Sequence, residues 1–176
     1  MAAGATAPAI PGYNLVEKRR PVGAHGGLAT YYRQSLQLET SEGNEYGLYT
    51  KLILPTSERL CIVNVYLPPT SSLARRDIAE TQATAQFELV LEHLQPQLST
   101  IVCGDFNARV GNRTPVLTQE HPPRTVTDTY MCPRAKWFIK ICELHALFIL
   151  NGVHSPAAYT CHTGRGESTV DYILHN

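Results

Sequence analysis

Apolar positions along the chain fall into short dense runs separated by Pro and Gly. After Gly26-Gly27, the run Leu28-Ala29-Thr30-Tyr31-Tyr32-Arg33 is rich in β-formers and predicts a strand. Residues 48–54 predict another, stopped by Pro55. Residues 60–67 give the strongest strand, ending at Pro68-Pro69, which cannot continue a ladder. Nearly all of its residues are apolar, so both faces are expected to be buried. Thr100-Ile101-Val102-Cys103 predicts a short buried strand cut by Gly104. Two late strands, 159–162 and 169–174, are expected to be joined by Thr163-Gly164-Arg165-Gly166.

Helical spacing appears twice. A long helix is expected over 72–94, capped by Ser71 or Ser72, with a stripe of Ile78, Phe87, Val90, Leu91 and Leu94, and ended by Pro96. A second is expected over 137–147, with Trp137, Ile141 and Leu144 on one face. Phe148-Ile149-Leu150 then enters the turn signal Asn151-Gly152. Residues 108–134 hold four prolines and little periodicity, which predicts a long excursion of the functional or mobile kind. Strands with two interleaved helices predict an α/β or α+β layered sandwich. Residues 1–20 are expected to be a loosely structured leader and 21–176 the domain proper.

Composition narrows this picture modestly. A formal net charge of zero argues against a dedicated nucleic-acid binder, without excluding a local basic face. The arginine clusters Arg19-Arg20, Arg75-Arg76, Arg109 with Arg113, and Arg134 with Lys136 read first as solvated surface charge. The five cysteines form no C-x-x-C pair, so a zinc site is not expected; a reducing, intracellular compartment is. Cys61 and Cys103 fall in apolar runs as small buried hydrophobes. No stretch has the length or apolarity of a membrane span.

Candidate chemistry clusters around Asp105 and Asn107. Two residues apart after a buried strand, they point to one side if the backbone is extended. A carboxylate that accepts a proton from water, next to a carboxamide that orients the water or bonds a phosphate oxygen, suits phosphodiester hydrolysis. Both could also touch a hard divalent cation. The plainer alternative is that Asp105 starts an Asx-turn and Asn107 is a loop residue. Tyr66 ends the strongest strand and shares a face with Ile62 and Asn64. Its phenol could donate to a pentacovalent phosphate, or be a satisfied core tyrosine. Asp171 is a carboxylate within an apolar strand, for which a histidine partner is expected. Thr160 is either a hydrogen-bonding threonine at the site or an ordinary β-former. Asn64, Thr160 and Arg109 complete the candidate substrate contacts. The seven histidines lack metalloprotease spacing, and neither a G-x-S-x-G elbow nor a P-loop occurs.

These segments, in order, resemble the endonuclease/exonuclease/phosphatase superfamily, and within it the apurinic-type endonuclease domains of non-LTR retrotransposons. The resemblance rests on residues 26–33, Asn64-Val65-Tyr66-Leu67-Pro68-Pro69, Gly104-Asp105-Phe106-Asn107, Leu150-Asn151-Gly152, Tyr159-Thr160 and Val170-Asp171-Tyr172-Ile173-Leu174. It implies a four-layer α/β sandwich of two packed mixed sheets flanked by helices, with magnesium as cofactor and DNA as partner. It makes Asp105 and Asn107 the water-orienting, phosphate- or metal-contacting pair, and Tyr66 the transition-state tyrosine. Asp171 becomes the aspartate that orients a catalytic histidine, and Thr160 part of the floor. The family pattern also has a metal-binding glutamate before the matched stretch and a Ser-Asp-His segment after it. Neither occurs here, so the expectation is a domain incomplete at both ends. Pro69 and Cys161 also depart from the pattern, which has asparagine and an aromatic there. Three readings follow: a magnesium-dependent retrotransposon-type DNA endonuclease, a non-catalytic remnant that binds nucleic acid weakly, or a small-molecule or lipid phosphatase on the same fold.

Overall fold

The computed structural model describes residues 7–19, 27–75, 77–164 and 166–176. Arg20, His25, Gly26, Arg76, Arg165 and the first six residues of the expected leader lie outside the described residues. The chain divides into two compact units, Met1–Thr100 and Ile101–Asn176.

In the N-terminal unit, β1 (Tyr13–Arg19) pairs antiparallel with β2 (Gly27–Arg33). The strand β1 lies within the stretch expected to be loose; alternation in Tyr-Asn-Leu-Val-Glu is too weak to announce it. Next come β3 (Gln37–Gly43), β4 (Gly47–Ile53) and β5 (Arg59–Tyr66), antiparallel in that order. β3 is polar and largely exposed, so apolar patterning could not reveal it. In β5 only one face is fully buried, through Cys61, Val63 and Val65; Ile62, Asn64 and Tyr66 on the other face are half-buried.

The expected long helix is two shorter ones, α1 (Thr70–Arg75) and α2 (Glu80–Leu91). They part at Asp77, whose φ of 53° no helix accommodates. Of the expected stripe, Phe87, Val90 and Leu91 are buried, joined by Ala83 and Thr84, whereas Ile78 precedes α2. No side chain caps α2. A side chain on Gly47 of β4 would meet the Phe87 ring at 3.0 Å, so this glycine permits the close approach of α2 to the strand.

The C-terminal unit is built on β6 (Ser99–Asp105), α3 (Ala135–Leu144), β7 (Phe148–Ile149) and β10 (Asp171–His175). β10 lies between β6 and β7, antiparallel to both. At the junction of the two expected late strands lies a small hairpin, β8 (Cys161–Thr163) with β9 (Gly166–Ser168), while β10 joins β6. On α3 the buried residues are Ala135, Phe138, Ile141 and Cys142; Leu144, expected to face the core, is 69% exposed. Phe106, Phe138 and Tyr172 form the aromatic core, with ring centroids 4.8–6.2 Å apart. The excursion over 108–134 is tied down by single bridges, Val110 to Met131 and Val126 to Ala157. All five cysteines are free thiols. Among the described residues, no helix is long and apolar enough to cross a membrane.

Candidate active site

The site grows from the pairing of β6 with β10. Their register places Asp105 directly opposite Asp171, so the two carboxylates project from the same face of adjacent strands. Burial leaves Asp105 poorly hydrated, and Asp171 adds like charge; together they push its carboxyl up to about 6 despite hydrogen bonds from Asn107. The residue across from Asp171 is thus a second acid.

Immediately after β6 the chain turns. Asn107 has φ of 46°, a left-handed conformation that asparagine tolerates better than most residues. Its backbone N–H donates to Asp105 Oδ1 at 2.8 Å, and its Nδ2 donates to Oδ2 at 2.9 Å. Asp105 and Asn107 therefore do converge, but through an Asx-turn and not through extended backbone. Phe106, 1% exposed, anchors the turn in the aromatic core, and its N–H donates to Val170 O at 3.0 Å. Beneath the turn lies Arg134, 5% exposed, whose Nη1 donates to Phe106 O at 2.9 Å and reaches Asn107 O at 3.4 Å. The sequence suggests solvated charge at Arg134; the structure buries it.

Asp171 is held from its own side. Thr160 Oγ1 accepts from both Val170 N and Asp171 N at 3.1 Å, which fixes the start of β10. Its hydroxyl oxygen thus serves backbone donors. Asn151 braces the same strand, donating through Nδ2 to Asp171 O at 3.1 Å and accepting from Ile173 N at 2.9 Å. His121 is structural as well: Nε2 accepts from Ile149 N at 2.9 Å, and Nδ1 donates to Pro122 O at 2.7 Å.

Arg109, a candidate substrate contact, has its guanidinium on Asp128. Nε to Oδ2 is 2.7 Å and Nη2 to Oδ1 is 2.6 Å, a bidentate pair, and the group also stacks on Tyr130 at 4.5 Å. Asp128 further accepts from Thr169 N at 2.9 Å and Tyr130 N at 3.2 Å. This engaged edge of Arg109 is not available to a phosphate. Sequence patterning missed Asp128, which lies in a polar Thr-Val-Thr-Asp-Thr run without periodicity.

Tyr66 and Asn64 belong to the N-terminal unit. Asn64 Nδ2 donates to Ala29 O at 3.0 Å, tying β5 to β2, and Tyr66 N donates to Tyr46 O at 3.0 Å at the end of β5. Both side chains are half-buried on one strand face, as alternation predicts.

Among the described residues, no group of three acid, histidine or cysteine side chains is poised for a metal ion. Two carboxylates in register still fit a hard divalent cation that takes its other ligands from water or phosphate oxygens. Asp105 and Asp171 would hold it; Asn107, a candidate ligand from sequence, has its amide nitrogen turned to Asp105.

A model of the endonuclease/exonuclease/phosphatase family matches residues 2–176. No curated protein sequence matches. Solved structures with a similar fold include the human Nocturnin catalytic domain with bound sulfate, at 18% identity and a TM-score of 0.58, covering 93% of this chain and 60% of that one. The Xenopus laevis APE2 catalytic domain aligns at 15% identity and 0.57, covering 96% and 67%. ANGEL2, a 2′,3′-cyclic phosphatase in complex with adenosine-2′,3′-vanadate, aligns at 18% identity and 0.55, covering 94% and 63%. The chain thus spans about three fifths to two thirds of the length of these structures. The shared fold is α/β, as the sequence predicts.

Proposed function

Since the chain belongs to the endonuclease/exonuclease/phosphatase family, we propose that its C-terminal unit carries a phosphodiester-cleaving site centred on Asp105 and Asp171, and that its substrate is DNA. The register pairing of these two carboxylates at the end of β6 carries the reading. In it, the Asp105 carboxylate orients an attacking water and takes its proton. Asn107 locks the carboxylate plane through its two hydrogen bonds, and Thr160 and Asn151 keep Asp171 in place. A divalent cation, which the family uses and which magnesium would supply here, stabilises charge on the phosphate when bound. The resemblance to retrotransposon-type endonucleases gives Tyr66 the role of transition-state tyrosine.

Nicking of supercoiled plasmid in magnesium tests the reading. Asp105→Ala is expected to lower the rate about a thousandfold, because members of a catalytic unit fail together. Tyr66→Phe should lower it less, by about tenfold to a hundredfold for one lost donor. Equal background in the parent and Asp105→Ala would sink the nuclease reading and leave a non-catalytic fold. A second reading, cleavage of small phosphate esters, draws on the neutral net charge and the similarity to a cyclic phosphatase. Turnover of a 2′,3′-cyclic nucleotide without plasmid nicking would favour it.

A further inference from the structure

Arg134 lies outside every segment that carries the family resemblance, yet it is one of two charged side chains of the C-terminal unit that are buried among the described residues. The other, Asp128, is held by Arg109. Arg134 places its Nη1 on the carbonyls of Phe106 and Asn107, the two peptide units that form the turn after Asp105. It stands at the N-cap position of α3, directly before Ala135, and that helix also contributes Phe138 to the ring cluster around Phe106. The arginine and the ring contact therefore tie one helix to one turn.

The turn needs this support. An Asx-turn alone adds two hydrogen bonds, and a left-handed φ at a residue other than glycine costs about 1 kcal/mol. A buried carbonyl without a donor costs more, of the order of 1–3 kcal/mol. Arg134 supplies a charged donor for Phe106 O in the interior. Its positive charge also lies near enough to draw the Asp105 carboxyl downward, against the push from Asp171.

We propose that Arg134 is a positioning residue that acts through the Asp105–Asn107 turn: its buried guanidinium fixes the two carbonyls of the turn, and thereby the direction in which the Asp105 carboxylate points. A guanidinium suits the task because it stays charged and presents planar donors in a fixed fork, which an ammonium does not. The purpose of this positioning rests on the reading of Asp105 as part of a cleavage site, but the geometry can be tested whether or not the chain cleaves anything.

The test is amide hydrogen exchange by NMR on the full chain, comparing the parent with Arg134→Met and Arg134→Lys. The Asn107 amide, held by Asp105, reports on the turn; the Thr169 amide, held by Asp128 in the same unit, reports on the fold. In Arg134→Met, Asn107 exchange is expected to rise about tenfold or more, the equivalent of losing a hydrogen bond to a charged donor, while Thr169 is unchanged. Arg134→Lys should fall between the two, since it keeps the charge and loses the fork. An unchanged Asn107 amide, or Asn107 and Thr169 rising together, would overturn the proposal, the second outcome marking a purely structural arginine. Should Arg134→Met not fold, the parent's guanidinium decides. Separate Nη1 and Nη2 resonances support a clamped group, and a single averaged resonance overturns it. A parent that never nicks plasmid, with these exchange results as expected, would refute the proposed activity and leave the positioning role standing.

Discussion

Asp128 and Asp105 are both withdrawn from water in the C-terminal unit, yet their surroundings are opposite in kind. Asp128 receives two hydrogen bonds from Arg109 and one each from the Thr169 and Tyr130 amides. Burial pushes its carboxyl upward, but the arginine and the two amides outweigh it, and the group ends below the usual carboxylate range. Asp105 receives its hydrogen bonds from Asn107, an uncharged neighbour, and faces another acid, and its carboxyl is pushed up to about 6. The first arrangement stabilises a fold. The second concentrates unfavourable charge at one point, which a divalent cation bound there would relieve.

Removal of the satisfied aspartate should have the larger effect. Asp128→Ala leaves a partly buried guanidinium and two amides without their acceptor, a loss of about 3 kcal/mol in stability. Urea unfolding followed by the fluorescence of Trp137, the single tryptophan, would measure it. A loss under about 1 kcal/mol would place the Arg109–Asp128 pair among ordinary exposed ion pairs and dissolve the contrast.

Asp105→Asn should move stability the other way. A carboxyl whose folded value lies above its unfolded one contributes stability that is complete below about pH 4 and is lost as pH rises through about 6. The asparagine variant loses one acceptor for Asn107 at every pH but is free of that loss, so its stability relative to the parent is expected to rise by up to about 2 kcal/mol between pH 3.5 and pH 7. Asp128 reverses the dependence. Its folded value is depressed, so its contribution is present above the ordinary carboxylate range and lost as pH falls through the folded value. The gap between the parent and Asp128→Ala should therefore close in acid. Urea midpoints across pH 3 to 8 would show two differences that run in opposite directions, and parallel curves would refute the distinction.

The contrast also marks what could be read from the chain alone. The strands β2, β4 and β5 and the Gly-Asp-Phe-Asn segment announce themselves by dense apolar runs and by motif. The partners that give each aspartate its character do not. Arg134 is 28 residues from Phe106 and Thr169 is 41 from Asp128, and neither distance leaves any periodic trace. The same limit applies to β3, whose polar residues carry no core pattern, and to the split of α1 from α2. That split rests on the backbone of Asp77, while the apolar spacing runs on across it. Whether Asp105 and Asn107 make an Asx-turn or an extended pair was undecidable from spacing, and the structure has both the turn and the convergence.

A smaller case in the N-terminal unit extends the contrast to groups without charge. The hydroxyl of Thr50, on β4, is fully buried and has no hydrogen-bond partner among the described residues. Like Asp105 it carries an uncompensated burial cost, but its cross-strand neighbours are Ser41 and Ile62 and not an acid. Replacement by valine keeps the shape and removes the desolvated hydroxyl, so Thr50→Val should stabilise the protein by about 1 kcal/mol. Unlike the gain from Asp105→Asn, this gain should be the same at pH 4 and pH 7, because nothing there titrates. A destabilised valine variant would mean that the hydroxyl finds a partner, such as a buried water, and that Thr50 belongs with Asp128 among the satisfied groups.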